Sequence, residues 1–199
     1  MLKRTLRRLA MTAVLAWAAS AAAGTEDDPI FELAVTNYGG SGAGDSLLTT
    51  QIYAEKALPF RDVSAFLVVY HDREFRAVYA GLARKFGDLQ LGIGVGNAWY
   101  DQLRHPTINP WLYYATDDAD LYLTAERYSR ESTAPWFYKG YASQRVTGQF
   151  YVGLYGEKGI GAGPMISWRN GNIRLWAAVP VVDRTYAGAC GIAGVQFGF

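Results

Sequence analysis

Through most of the chain, apolar side chains recur at every second position, the period of a strand with one apolar face. Leu89-Gln90-Leu91-Gly92-Ile93-Gly94-Val95-Gly96 shows it most cleanly, with branched apolar residues alternating against Gln and Gly. Ile173 to Val179, Phe150 to Tyr155 and Leu121 to Glu126 repeat the pattern. Turn-forming groups punctuate these stretches: His71-Asp72-Arg73-Glu74, Gly87-Asp88, Asp117-Asp118-Ala119-Asp120, Val146-Thr147-Gly148, Gly156-Glu157-Lys158-Gly159 and Asn170-Gly171-Asn172. Gly, Asn and Asp supply the positive φ angles of tight hairpins, so the chain reads as an antiparallel meander.

Twelve strands are predicted, over residues 30–37, 47–57, 62–71, 74–84, 89–99, 108–116, 120–129, 135–143, 147–156, 159–169, 172–182 and 188–199. Eight or ten longer strands would satisfy the same pattern. The connections after strands 2, 4, 6, 8 and 10 are short. The longest, Tyr38–Ser46, Tyr100–Thr107, Ser129–Pro135 and Asp183–Ala187, all follow odd strands. Short turns at one rim, longer loops at the other and an even strand number are the layout of an up-and-down barrel that spans a membrane. Ten residues at about 3.3 Å each, tilted by about 40°, span about 25 Å, the height of such a barrel's apolar band.

The first 23 residues have a different character. Lys3, Arg4, Arg7 and Arg8 precede the apolar run Leu9 to Ala19 and then the small residues Ser20-Ala21-Ala22-Ala23. Basic head, short apolar middle and Ala-x-Ala exit make a secretory signal peptide, with cleavage expected after Ala23. The apolar run falls short of the roughly 20 residues that a membrane helix needs. Residues 24–199 then form one barrel domain. Losing four basic residues leaves 15 against 18 acidic ones, so the exported chain is mildly acidic.

Composition narrows the chemistry. Half the residues are hydrophobic, 15% are aromatic and 19% charged, and basic and acidic residues nearly balance at 19 to 18, which provides no field for nucleic acid. One cysteine, Cys190, excludes a disulfide framework and a multi-cysteine metal site, and two histidines, His71 and His105, are few for a metal centre. No cofactor or metal is expected. Gly39 to Gly44 is glycine-rich but does not join a strand to a helix, so it is not a phosphate cradle.

The chain ends Val195-Gln196-Phe197-Gly198-Phe199. A terminal Phe with apolar residues two and four places before it resembles the last strand of bacterial outer-membrane β-barrel proteins. That resemblance implies recognition of Val195, Phe197 and Phe199 by the barrel assembly machinery, a location in the outer membrane and contact with its lipid. Trp99, Trp111, Trp136 and Trp168 are expected at strand ends, as aromatic girdles. A soluble β protein with its apolar faces inward is the alternative.

With the apolar faces on lipid, the lumen would hold Glu32, Gln51, Tyr53, Glu55, Tyr122, Thr124, Glu126, Lys139, Tyr141, Tyr151, Tyr155, Arg169, Arg174 and Gln196. Inward Gly92, Gly94 and Gly96, with Gly161 and Gly163, would make room for bulky partners. The expected function is a small channel for passive diffusion of small polar or charged solutes. Glu55, Glu126, Lys139, Arg174, Tyr122 and Tyr151 are its candidate selectivity residues. Mutual pairing of these charges would instead indicate a plugged structural or accessory barrel, serving envelope integrity, adhesion or polysaccharide export.

Catalysis finds little support. Outer-membrane lipid hydrolases, as a class resemblance, carry a His and a Ser two residues apart on a strand, and neither histidine here has that neighbour. A lipid-modifying enzyme would need His105 to meet Ser129, Ser132 or Thr133 across loops. Cys190 is expected on the last strand as a small filler.

Overall fold

The computed structural model describes residues 30–40, 47–71, 75–100, 103–128, 136–182 and 189–198. The segment read as a signal peptide and the terminal Phe199 lie outside them. Among the described residues are twelve strands: β1 (Ile30–Gly40), β2 (Leu47–Ala57), β3 (Val63–His71), β4 (Phe75–Phe86), β5 (Leu89–Tyr100), β6 (Leu103–Ala115), β7 (Ala119–Tyr128), β8 (Trp136–Thr147), β9 (Phe150–Glu157), β10 (Gly161–Asn170), β11 (Ile173–Ala178) and β12 (Ala189–Gly198). Each pairs antiparallel with its neighbours in sequence, and β1 pairs with β12 from Glu32↔Gly198 to Gly40↔Ala189, closing the sheet into a barrel.

Three of the hairpins at the short-turn rim turn in two residues. Their first positions, Gly87, Gly148 and Gly171, have φ of 62°, 49° and 53°, where a side chain would be strained.

The two faces are inverted relative to a soluble domain. Outward positions hold Leu67, Val78, Leu82, Ile93, Val95, Leu123, Val152, Leu154 and Ile166, with Val95 and Leu154 each 65% exposed. Inward positions hold Glu55, Ser64, Asn109, Asp120, Thr124, Ser143, Glu157, Ser167 and Arg174, all buried. An exterior this apolar marks a surface built to meet an apolar environment.

Two predicted boundaries are corrected. Strand β6 begins at Leu103, so residues 101 and 102 alone separate it from β5, and Tyr100–Thr107 is not a long loop. Pro106 weighs against a strand there, because proline offers no ladder donor; Pro110 falls inside the strand expected over 108–116. Pro106 lies beyond the last β6–β7 pair, Thr107↔Tyr128, and the same ladder skips Asn109 and Pro110. Asn109 repairs the gap: its Nδ2 donates to Ala125 O at 3.3 Å and to Thr124 Oγ1 at 2.8 Å.

The ladder of β11 stops at Ala178, short of Pro180, whereas a strand to residue 182 was expected. The chain nonetheless follows β10 through Val179 N–H to Pro164 O at 3.0 Å and Val181 N–H to Ala162 O at 2.8 Å.

Trp111 is a further correction. It points into the barrel, buried, and does not join a girdle. With β6 starting at Leu103, Trp111 sits within the strand and in phase with the inward Thr107 and Asn109. Its register partner on β5 is Gly92, whose missing side chain is the space the indole fills. Gly194 and Trp176 repeat this pairing between β12 and β11.

Candidate functional site

The lumen is built by the inward half of each strand's alternation, and its charges gather in three groups. The first is near the short turns of β7 to β11. Asp120, at the start of β7, accepts from Arg169 Nη2 at 2.6 Å and Arg174 Nη1 at 3.1 Å, and from the Ser143 hydroxyl. The Arg169 guanidinium lies 4.0 Å from the Tyr151 ring centre, and Arg174 lies 4.2 Å from that of Tyr141. Two guanidiniums share one carboxylate, so the group carries a surplus positive charge.

The second group is nearer the opposite rim. Lys139 Nζ is 3.7 Å from Glu157 Oε2 and lies 6.0 Å from the rings of both Tyr155 and Tyr70. The Tyr155 hydroxyl also donates to Glu157. Tyr70 stands on β3 and Lys139 on β8, so this contact bridges well-separated walls of the barrel. Beside it the Tyr79 hydroxyl of β4 donates to Glu126 of β7 at 2.6 Å.

The third group surrounds Glu55 on β2. Its carboxylate accepts from Tyr53, Ser64 and Gln90 Nε2, the last at 2.7 Å. Above it, Phe66 and Trp111 meet edge to face at 5.5 Å, and Tyr53 meets Trp111 at 6.2 Å. These rings join β2 and β3 to β6 across the interior. Hydrogen-bonded and paired carboxylates of this kind persist inside a barrel because each desolvated charge has donors in place.

All six candidate selectivity residues face inward. Glu55, Glu126, Lys139 and Arg174 occupy the three groups; Tyr122 packs on Tyr141 at 5.8 Å, and Tyr151 lies under Arg169 while its hydroxyl donates to Asp117 O at 3.1 Å. Asp120 and Glu157, the carboxylates that hold the basic residues, were both assigned to turns in sequence. The signal was present for Asp120, which is in phase with Tyr122, Thr124 and Glu126. In β12, Val195 pairs with Val35 and Leu175, and Phe197 with Leu33 and Ile173. Ser129, Ser132 and Thr133, needed for a catalytic His105, lie outside the described residues.

No protein-family model and no curated protein matches the chain. Solved structures do. A KdgM porin superposes with a TM-score of 0.51 at 14% identity, covering 85% of this chain and 99% of its own. The fold is porin-like. A bacterial polysaccharide outer membrane secretin scores 0.45 at 10% identity over 77% of this chain and 62% of its own. Salmonella typhi OmpF, in complex with daunomycin, scores 0.40 at 8% identity over 86% and 97%.

Proposed function

We propose that this chain is a bacterial outer-membrane barrel that conducts small polar or charged solutes by passive diffusion through a narrow lumen. The observation that carries the reading is the inversion of its faces: an apolar exterior around an interior lined with Glu55, Glu126, Lys139, Arg174 and tyrosines. Lipid is the solvent that such an exterior requires, and a polar bore is what a hydrated solute requires. Export would use residues 1–23 as a cleaved signal peptide. The barrel assembly machinery would read the terminal strand at Val195, Phe197 and Phe199. The porin-like fold supports the same assignment.

In this reading the paired charges tune passage. A solute entering among Arg169, Arg174 and Asp120 exchanges water for guanidinium and carboxylate partners, and the tyrosine rings keep the path narrow.

The decisive experiment is single-channel conductance of the refolded protein in a planar lipid bilayer. Discrete steps with a definite ion preference are expected.

A second reading, a barrel with a closed lumen and an accessory role in the envelope, has its own support in the bridge from Tyr70 on β3 to Lys139 on β8. A silent protein that is folded and heat-modifiable would select it. Failure to insert into any bilayer would return the chain to the soluble β class.

A further inference from the structure

The barrel wall is interrupted between β11 and β12, in the half toward the longer loops. From Ile173↔Phe197 to Ala178↔Ile192 the two strands pair in unbroken register. Beyond that rung the next partners would be Val179 with Gly191 and Val181 with Ala189, yet among the described residues no backbone bond joins them. The chain from Val179 to Val182 bonds instead to β10, while Gly191 and Ala189 pair with β1. A Cβ built on Gly191 would meet nothing nearer than Ala178 O, at 3.9 Å. One built on Gly163, on the intact β10 side, would collide with Val179 O.

Two local features encode the break. Val179 and Val181 donate to Pro164 O and Ala162 O on β10, so an N–H at position 180 would point to β12. Proline stands there and has none. On the other side, Gly39 pairs with Gly191 and Gly40 with Ala189, which leaves Cys190 as an extra residue in β12. A bulge of this kind bends its strand and disrupts the ladder.

Both sides of the break are apolar. Outward, Val179, Val181, Pro164 and Ala193 are exposed on the lipid-facing wall. Inward, Ile160, Met165, Ala178 and Ile192 form a buried cluster with Tyr155, and Trp176 packs against it. Ala178 and Ile192 are themselves the last rung below the break. The Tyr155 hydroxyl then leads on to Glu157, and Glu157 to Lys139 at 3.7 Å.

We infer that the break is a side portal between the lumen and the bilayer, and that it passes single-chain amphiphiles. Irregular backbone at membrane depth is tolerated where it lines a path, which is the role this geometry gives to Val179–Val182 and Ala189–Gly191. The hydrocarbon chain threads between those segments, over the Ala178–Ile192 rung, where Gly191 leaves the edge clear. The polar head stays with the hydroxyl and charges around Tyr155 and Lys139. This goes beyond a channel that opens only at its two rims, and it rests on the membrane reading above.

The test places the refolded full chain in phosphatidylcholine nanodiscs that contain a diazirine-bearing long-chain fatty acid. Wild type is compared with a variant carrying Val179→Cys and Gly191→Cys in a Cys190→Ala background. The two introduced cysteines face each other across the break, so oxidation should sew it shut and reduction should reopen it. Where the disulfide does not form, a bismaleimide joins the same two positions. After irradiation, adducts are mapped by mass spectrometry. Wild type and the reduced variant should carry them on inward Met165, Trp176 or Ile192 as well as on outward Leu154 and Ile166. The closed variant should lose the inward adducts and keep the outward ones. Inward adducts that survive closure would show entry through the mouths of the barrel and overturn the inference, as would their absence from wild type. Equal inward labelling by a two-chain diazirine phospholipid would overturn the single-chain assignment. If the cysteine variant fails to refold, Pro180→Val replaces it: the restored N–H should lower inward labelling, and labelling equal to wild type would overturn the inference. Absence of outward adducts from wild type would overturn the membrane reading itself.

Discussion

Arg174 of β11 and Asp120 of β7 meet at 3.1 Å, although 54 positions and three other strands separate them. The contact belongs to neither strand's ladder. It exists because closure of the sheet turns both side chains into one interior, where Arg169 joins them from β10 at 2.6 Å.

Asp120→Asn should therefore be costly. Removing the shared carboxylate leaves two guanidiniums without their counter-charge, and breaking a buried pair in this way costs about 3 kcal/mol. Urea unfolding followed by electrophoretic mobility should show that loss. Any surviving conductance should move toward anions. The double variant Asp120→Asn, Arg174→Gln should shift less, since one cation is removed with the acid. A silent effect on both stability and selectivity would deny the pair any role.

Neutralising the two basic groups together tests the channel. Lys139→Gln with Arg174→Gln leaves Glu157 and Asp120 with fewer cationic partners, so reversal potentials in a salt gradient should move toward cation preference. An unchanged reversal potential would remove these residues from the selectivity mechanism.

The glycine–tryptophan pairs predict a steric effect. A Cβ added at Gly92 would overlap the Trp111 indole, and one at Gly194 would overlap Trp176. Gly92→Ala should cost about 1–3 kcal/mol, the usual cost of overpacking, and should shift the tryptophan emission. Combining it with Trp111→Leu should recover part of the stability. Loss that is simply additive would place its cause elsewhere.

The lipid-facing wall predicts a depth effect. Val95, near the middle of β5 and fully turned outward, should tolerate lysine poorly. Val95→Lys should destabilise the barrel in a bilayer by about 2–4 kcal/mol, as expected for a cation at mid-membrane. A cost below about 1 kcal/mol would match a wall facing water and would contradict the membrane reading.

Asn109→Ala should cost about 1–2 kcal/mol, because Ala125 O then faces Pro110 with no donor. Hydrogen exchange should show the loss as faster opening of β6 and β7 alone, with the β9–β10 hairpin unaffected.

Much of this architecture was legible in the chain. Period-2 alternation placed Glu55, Glu126, Lys139 and Arg174 on one face and Val95 and Leu154 on the other, because successive Cβ atoms of a strand must point to opposite sides. Glycine at 87, 148 and 171 marked its turns for an equally local reason, the positive φ that other residues resist.

The misplacements share a physical cause. Pro106 weighs locally against a strand, and Pro110 lacks a ladder donor inside one; only the neighbouring strand shows that Asn109 supplies it. Trp111 reads locally as a surface anchor because its bulk is all that the sequence shows, while the space at Gly92 that admits it is on another strand. Asp120 and Glu157 sit at strand ends that also read as turns, so their role as counter-ions was hidden.

The sequence by itself determined which residues alternate, where the chain turns and which face is polar, since those follow from the geometry of one residue and its neighbours. The pairing of Asp120 with Arg174, Lys139 with Glu157, and Tyr79 with Glu126 was decided by tertiary structure alone. Such contacts depend on the register of every intervening strand and on closure of the sheet, and no local rule carries that information along the chain.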